Sequence, residues 1–213
     1  MTQTTLTAQE IFRAAYDNRY TWDKGFPGFQ ATVTLTDADV THTGRVQVNP
    51  DMTFEVLDIQ DEAARRLVKS QLWEMTIHRA NRSFEESHGD NTFDLGSTDD
   101  HGAIEILVGG ASMGNRYKVR DNIVCFVHRQ IRDVIVNIHT FETQQTETGY
   151  LSTGYRSIYL DPQTQLPKDS ETVFKDTFEQ VGGYWLLSHR TIQESQADEV
   201  KTTEVGFSRF QLL

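Results

Sequence analysis

Seven histidines, one cysteine and a glycine-rich loop are the residues of this chain that could carry chemistry. His88 with Asp90, and Asp99 and Asp100 with His101, mix nitrogen and oxygen donors. Neither cluster has the His-x3-His or Cys-x2-Cys spacing that turns ligands toward one metal. Their polar, turn-rich setting accounts for them, so no metal ligand is assigned. His42, His128 and His139 fall in strand-like segments, and His42 shares the apolar parity of Val46. An imidazole there is first a hydrogen-bonded wall residue. Two of them facing one cavity would make an acid/base pair near neutral pH. Cys125 sits in the apolar run Ile123-Val124-Cys125-Phe126-Val127, where burial raises a thiol's pKa and leaves it inert. No serine stands in a Gly-x-Ser-x-Gly elbow. The segment from Gly109 to Asn115, GGASMGN, follows a strand but precedes no helix whose N–H groups could face a phosphate, and no Lys-Ser/Thr pair closes it. It reads as a hairpin loop. No catalytic residue is assigned, and no cofactor is identified.

Composition narrows the classes. The 213 residues carry a formal net charge of -11, so the long-range field repels nucleic-acid phosphates and anionic lipid headgroups. Nucleic acid is excluded as an expected partner. No apolar run reaches the roughly 18 residues of a membrane span. The start, MTQTTLTAQEIF, lacks the basic and apolar regions of a secretory leader. A lone cysteine closes no internal disulfide, which fits a reducing compartment, and the expected location is cytoplasmic. One domain over residues 1–213 is expected, because no linker composition interrupts the chain.

The elements that must position any site are legible in the hydrophobic periods. Thr7 with Glu10 makes a capping-box pattern, so a helix is expected from about Ala8 to Trp22, with Ile11, Phe12, Ala15 and Tyr16 on one side. Residues 25–28, GFPG, stop it. From Phe29 to Ile59 the period becomes two. Phe29, Ala31, Val33 and Leu35 share one face of a first strand, and Val40, His42, Gly44, Val46 and Val48 one face of a second. Turn residues at 37–39 and 49–51 join these and a third strand into an antiparallel meander. Residues 61–80 return to helical spacing through Ala64, Leu67, Val68, Leu72 and Met75, with Trp73 and Ile77 widening the apolar surface. Strands dominate from Ala103 onward, and Gly182-Gly183 marks a tight hairpin. The fold class is α+β: a strongly curved antiparallel sheet, a half-barrel or open barrel of about ten or eleven strands, with two main helices over its concave face.

That geometry defines the candidate binding face. Val33, Leu35, His42, Val46, Val48, Phe54 and Val56 on the meander would face Leu67, Leu72 and Met75 on the second helix, with Trp185 from a late strand completing the lining. Arg45, and Arg65 or Arg66, would stand at its mouth to meet an anionic headgroup. Aromatic residues crowd both ends of the chain, as suits a thick core or a cavity for a planar or acyl guest.

Two local patterns carry a resemblance. Tyr159-Leu160-Asp161-Pro162 followed by Leu166-Pro167, and Gly183-Tyr184-Trp185-Leu186-Leu187-Ser188-His189-Arg190, resemble the C-terminal sheet of the lipoprotein-carrier superfamily of LolA-like and LppX-like proteins. The leading helix, Phe29-x-Ala31 opening a meander, and Gly44 are similar too. This implies a curved antiparallel half-barrel capped by helices, whose concave face receives acyl chains. Length, acidity and the GFPGF run at 25–29 also resemble an uncharacterised family of cyanobacteria and plastids, a domain of unknown function of about this size. The chain departs from the carriers in lacking a leader and a lipobox cysteine and in placing a long helix directly after the third strand. These departures favour a cytosolic binder over periplasmic lipoprotein transport. The expected function is binding of a hydrophobic small molecule, an acyl lipid or a pigment, between sheet and helix. Two readings stay open beside it: a protein-interaction or assembly factor with a filled core, and an isomerase or lyase using cavity histidines.

Overall fold

The computed structural model describes residues 6–196 and 199–213. The first five residues, read above as part of a leaderless start, lie outside the described residues. In chain order the elements are α1 (Ala8–Asp17), β1 (Phe29–Asp37), β2 (Val40–Val48), β3 (Phe54–Leu57), α2 (Glu62–Arg79), α3 (Phe84–His88), β4 (Asn91–Thr98), β5 (Ile104–Gly110), β6 (Arg116–Arg120), β7 (Ile123–Ile131), β8 (Val134–Thr146), β9 (Gly149–Leu160), β10 (Thr172–Val181), β11 (Tyr184–Gln196) and β12 (Glu199–Leu212). The described residues thus hold twelve strands, against about ten or eleven expected, and three helices: the two main ones expected, α1 and α2, and the five-residue α3. β3 has a partner on one side only, as has β4, so the sheet is open. The chain divides into two compact units, Met1–Tyr20 with Arg82–Thr172, and Thr21–Asn81 with Val173–Leu213.

In the second unit the strand order is β3-β2-β1-β12-β11-β10. The period-2 pattern becomes one buried face, because the register sets like parity against like: Phe29 pairs Val48, Ala31 pairs Val46, Val33 pairs Gly44 and Phe207, and Leu35 pairs His42 and Val205. Gly44 is glycine for lack of room: a Cβ there would run into the Ile59 side chain and the Leu57 carbonyl. Gly182 and Gly183 adopt φ of 56° and 91°, which a two-residue hairpin with left-handed central residues requires. Asp61 caps α2, its carboxylate accepting from the Ala64 N–H at 2.8 Å. The helix buries Ala64, Val68, Gln71, Leu72, Met75 and Thr76, one stripe at three- and four-residue steps, and packs against β3. Trp73, expected to widen the apolar surface, projects on the other side and is 56% exposed. Gln71 and Thr76 take places in the stripe instead. Next to the sheet, the Trp22 ring stacks on Phe26 at 4.1 Å and its indole N–H donates to the Trp185 carbonyl.

In the first unit the order is β9-β8-β7-β6-β5-β4. The Thr7–Glu10 capping box forms as expected, but α1 ends at Asp17 rather than Trp22. Asn18 caps it in αR geometry, and the Tyr20 N–H then donates to the Tyr150 carbonyl at 2.9 Å, which draws the chain out of helical geometry. Helix α1 buries Ala8, Phe12, Ala15 and Tyr16 against Phe84 of α3 and against Ile106, Val108, Tyr117 and Val119 of the sheet. The short α3 has its own capping box, Ser83 with Glu86.

Candidate functional site

The face beneath α2 gathers most of the residues that parity selected. Val33, Leu35, Val46, Val48 and Leu72 are each at most 2% exposed, and Val56 and Met75 are buried as well. Phe54, Leu67, His42 and Trp185 are half-buried. β2 and β3 set Val46 against Val56 and Val48 against Phe54, so the meander side of the lining is continuous across three strands. Around the most deeply buried of these side chains no water-sized space remains.

The same face carries a charged cluster that the sequence reading did not assign. Arg190, on β11 at the parity of Ile192 and opposite Val205, is 5% exposed. Its guanidinium donates to both carboxylate oxygens of Asp176 on β10, at 2.8 and 2.7 Å. Its remaining terminal nitrogen donates to Gln71 Oε1 at 2.8 Å and to Glu74 Oε2 at 2.7 Å, both on α2. The bidentate geometry suits a planar guanidinium and satisfies two charges that burial would otherwise penalise. Gln71 is polar within an apolar stripe because it meets this cation. A signal did exist: Leu186, Arg190 and Ile192, and Phe174, Asp176 and Phe178, each place one charge at apolar parity, of opposite sign, on the two strands flanking Gly182-Gly183.

The arginines proposed for a cavity mouth are placed otherwise. Arg45 alternates with Val46 onto the opposite face and pairs with Asp58 at 2.6 Å. Arg65 pairs with Glu62 on its own helix, and Arg66 is exposed. On that opposite face a depression of about 260 Å³ is lined by Gln30, Thr32, Arg45, Gln47, Leu57 and Arg209 among others, a wall of mixed polar and apolar character.

The histidines separate. His42 belongs to the second unit, His128 and His139 to the first. Phe126 pairs His139 and His128 pairs Asn137, so these two histidines share a face one diagonal apart. It is the face opposite Tyr117, which pairs Val127, and so opposite the side on which α1 packs. Burial holds both imidazoles below their usual pKa, with Arg116 adding to the effect on His128 and Arg156 to that on His139. His128 Nδ1 lies 2.7 Å from Asn137 Oδ1. Burial pushes the Cys125 thiol up, and it donates to the Lys118 carbonyl. Among the described residues no group of three His, Cys, Asp or Glu side chains could hold a metal ion, and no helix is long and apolar enough to cross a membrane.

A model of a family described as "Protein of unknown function (DUF3386)" matches residues 3–213. Among curated proteins none matches significantly. Several solved structures are similar, among them these three. A LolA superfamily protein from Nitrosomonas europaea is 10% identical, with 98% of this chain and 94% of that one covered at a TM-score of 0.35. A putative outer membrane lipoprotein-sorting protein domain from Vibrio parahaemolyticus is 11% identical, with 96% and 91% covered and a TM-score of 0.31. A DUF1329 family protein from Desulfovibrio piger is 7% identical, with 96% and 90% covered and a TM-score of 0.29.

Proposed function

The chain belongs to the DUF3386 family, whose description names no activity, and from that premise we propose that its second unit binds a hydrophobic small molecule, an acyl lipid or a pigment, on the face that α2 covers. The observation that carries the reading is the attachment of α2 through a breakable polar contact, Gln71 and Glu74 to Arg190, over a sheet face whose deepest residues are apolar. The deepest lining residues, Val33, Leu35, Val46, Val48 and Leu72, have no access to water, so a guest there replaces contacts of α2. When α2 lifts, Glu74 and Gln71 regain water while Arg190 keeps its pair with Asp176, so the polar part of opening is inexpensive. The apolar area then uncovered is what an acyl chain re-covers, at about 25 cal/mol per Å².

The test is extraction of the purified protein with organic solvent followed by mass spectrometry, and titration with a fluorescent polyene fatty acid. The expected results are a co-purifying lipid or pigment, or saturable probe binding that tightens several-fold in Glu74→Ala, which lowers the cost of opening. Nothing extracted, together with no saturable binding to either form, sinks the reading. One observation favours a partner protein instead: Trp73 is 56% exposed on the outer side of α2, on the same side as the exposed Arg66 and Lys69. A face that takes no probe, with a partner whose binding is lost in Trp73→Ala, would establish that second reading.

A further inference from the structure

In the first unit the Tyr117 hydroxyl is the starting point. Tyr117 on β6 is 5% exposed, with its ring stacked 4.3 Å from Phe12 on α1. Its hydroxyl has no hydrogen-bond partner among the described residues. No fully buried side-chain oxygen or nitrogen there lacks a partner, so the tip of this phenol reaches the surface. The ring is held by packing while the hydroxyl faces solvent, free to donate to a group that arrives from there.

Two guanidiniums act on that hydroxyl, and neither is hydrogen-bonded to it. Arg129 stands on β7 two residues beyond Val127, the cross-strand partner of Tyr117, and so lies on the same face one diagonal away. Arg19 follows the end of α1. Its Nε donates to the Tyr16 carbonyl at 2.8 Å, and its guanidinium lies 3.6 Å from the centre of the Tyr16 ring, which fixes its direction. Both cations act electrostatically on the Tyr117 hydroxyl and on the His88 ring. Neither has a carboxylate within ion-pair distance among the described residues. In the same unit Arg13 has Glu85 and Arg116 has Glu105. With 31 acidic residues against 20 basic ones, two arginines that act on the same groups and have no carboxylate are the reverse of what composition favours. Like charges side by side repel, and an anion seated between them removes the repulsion.

We propose that Arg19, Arg129 and the Tyr117 hydroxyl form a binding site for a phosphate or carboxylate oxyanion. The guanidiniums supply forked, permanently charged donors, and the phenol supplies a third donor from a fixed direction. Phe12 behind Tyr117 and Tyr16 behind Arg19 hold both donors in place before the anion arrives. The site lies within the first unit and stands whether or not the α2 face takes a guest.

The full chain is titrated by calorimetry with inorganic phosphate and, separately, with acetate, at constant ionic strength with chloride as the balancing anion. Saturable binding is expected for at least one, and the tighter of the two names the source, a phosphate-bearing or a carboxylate-bearing ligand. Arg129→Gln and Arg19→Gln are each expected to weaken it at least tenfold, and Tyr117→Phe, which keeps the ring stacking, several-fold. Arg132→Gln removes one positive charge from the same unit in the turn after β7 and should leave the affinity unchanged. Circular dichroism melts without anion establish that each variant is folded. The proposal is overturned by absence of saturable binding to both anions, by affinity unchanged in all three site variants, or by an equal loss in Arg132→Gln.

Discussion

Arg190→Met separates a buried ion cluster that organises the second unit from one that is incidental. The substitution keeps the aliphatic stem and removes four hydrogen bonds, two to Asp176 and one each to Gln71 and Glu74. Asp176, with a side chain only 3% exposed, is left as a buried anion without its cation, a condition that costs about 3–5 kcal/mol. Against a total stability of about 5–15 kcal/mol that is a large fraction. With a urea dependence of about 2–3 kcal/mol per molar it moves the midpoint down by roughly 1–2.5 M. All three tryptophans, Trp22, Trp73 and Trp185, belong to the second unit, so tryptophan fluorescence in urea follows that unit by itself. The double variant Arg190→Met with Asp176→Leu should recover most of the loss, because well-packed apolar groups replace a buried pair at little or no cost. Glu74→Gln should cost no more than about 1 kcal/mol, since its carboxylate is 32% exposed and screened by water. A single variant that loses less than about 1 kcal/mol, or a double variant no better than the single, would falsify the idea that Asp176 depends on Arg190 for its charge.

Two further outcomes follow from the first unit. Burial, then the charges of Arg129 and Arg19, hold His88 down at about 4 from an ordinary 6.5. The folded state therefore keeps the ring neutral while the unfolded chain takes up a proton below 6.5. Stability is whole above pH 6.5 and falls as pH drops toward 4, by at most about 3 kcal/mol and nearer 1.5 for a half-buried ring. The stability difference between the native chain and His88→Gln, followed by near-ultraviolet circular dichroism, should change over that window, and a difference flat from pH 7 to 4 contradicts it. Cys125, with its thiol pushed up by burial and donating to Lys118, should react with a disulfide reagent at pH 7.5 at least tenfold more slowly in the folded chain than in urea. Equal rates would show that it is no inert wall residue.

The short-range features were legible in the sequence because their causes act over a few residues. Alternation from Phe29 to Leu35 and from Val40 to Val48 gave the buried face of β1 and β2. Asp61 and the three- and four-residue steps from Ala64 to Met75 gave α2, and Gly182-Gly183 gave a hairpin. β4 was not legible, since Asn91, Asp94, Gly96 and Ser97 in an edge strand have neither face fully covered and no clean alternation. α3 is too short at five residues for a period to show, although its capping box was there to be read. The end of α1 depended on the Tyr150 carbonyl far along the chain, which competes for the backbone after Asn18.

The two charged sites divide in the same way. Sequence parity alone places Arg190 and Asp176 on apolar faces, and Arg129 on the face of Val127. Only the tertiary structure decides that Arg190 meets Asp176, Gln71 and Glu74 while Arg19 and Arg129 meet no carboxylate among the described residues. Parity is imposed by the pleat of one strand. The partner of a buried charge is whichever group another element brings within 3 Å, and that is settled by how α1, α2 and the strands pack.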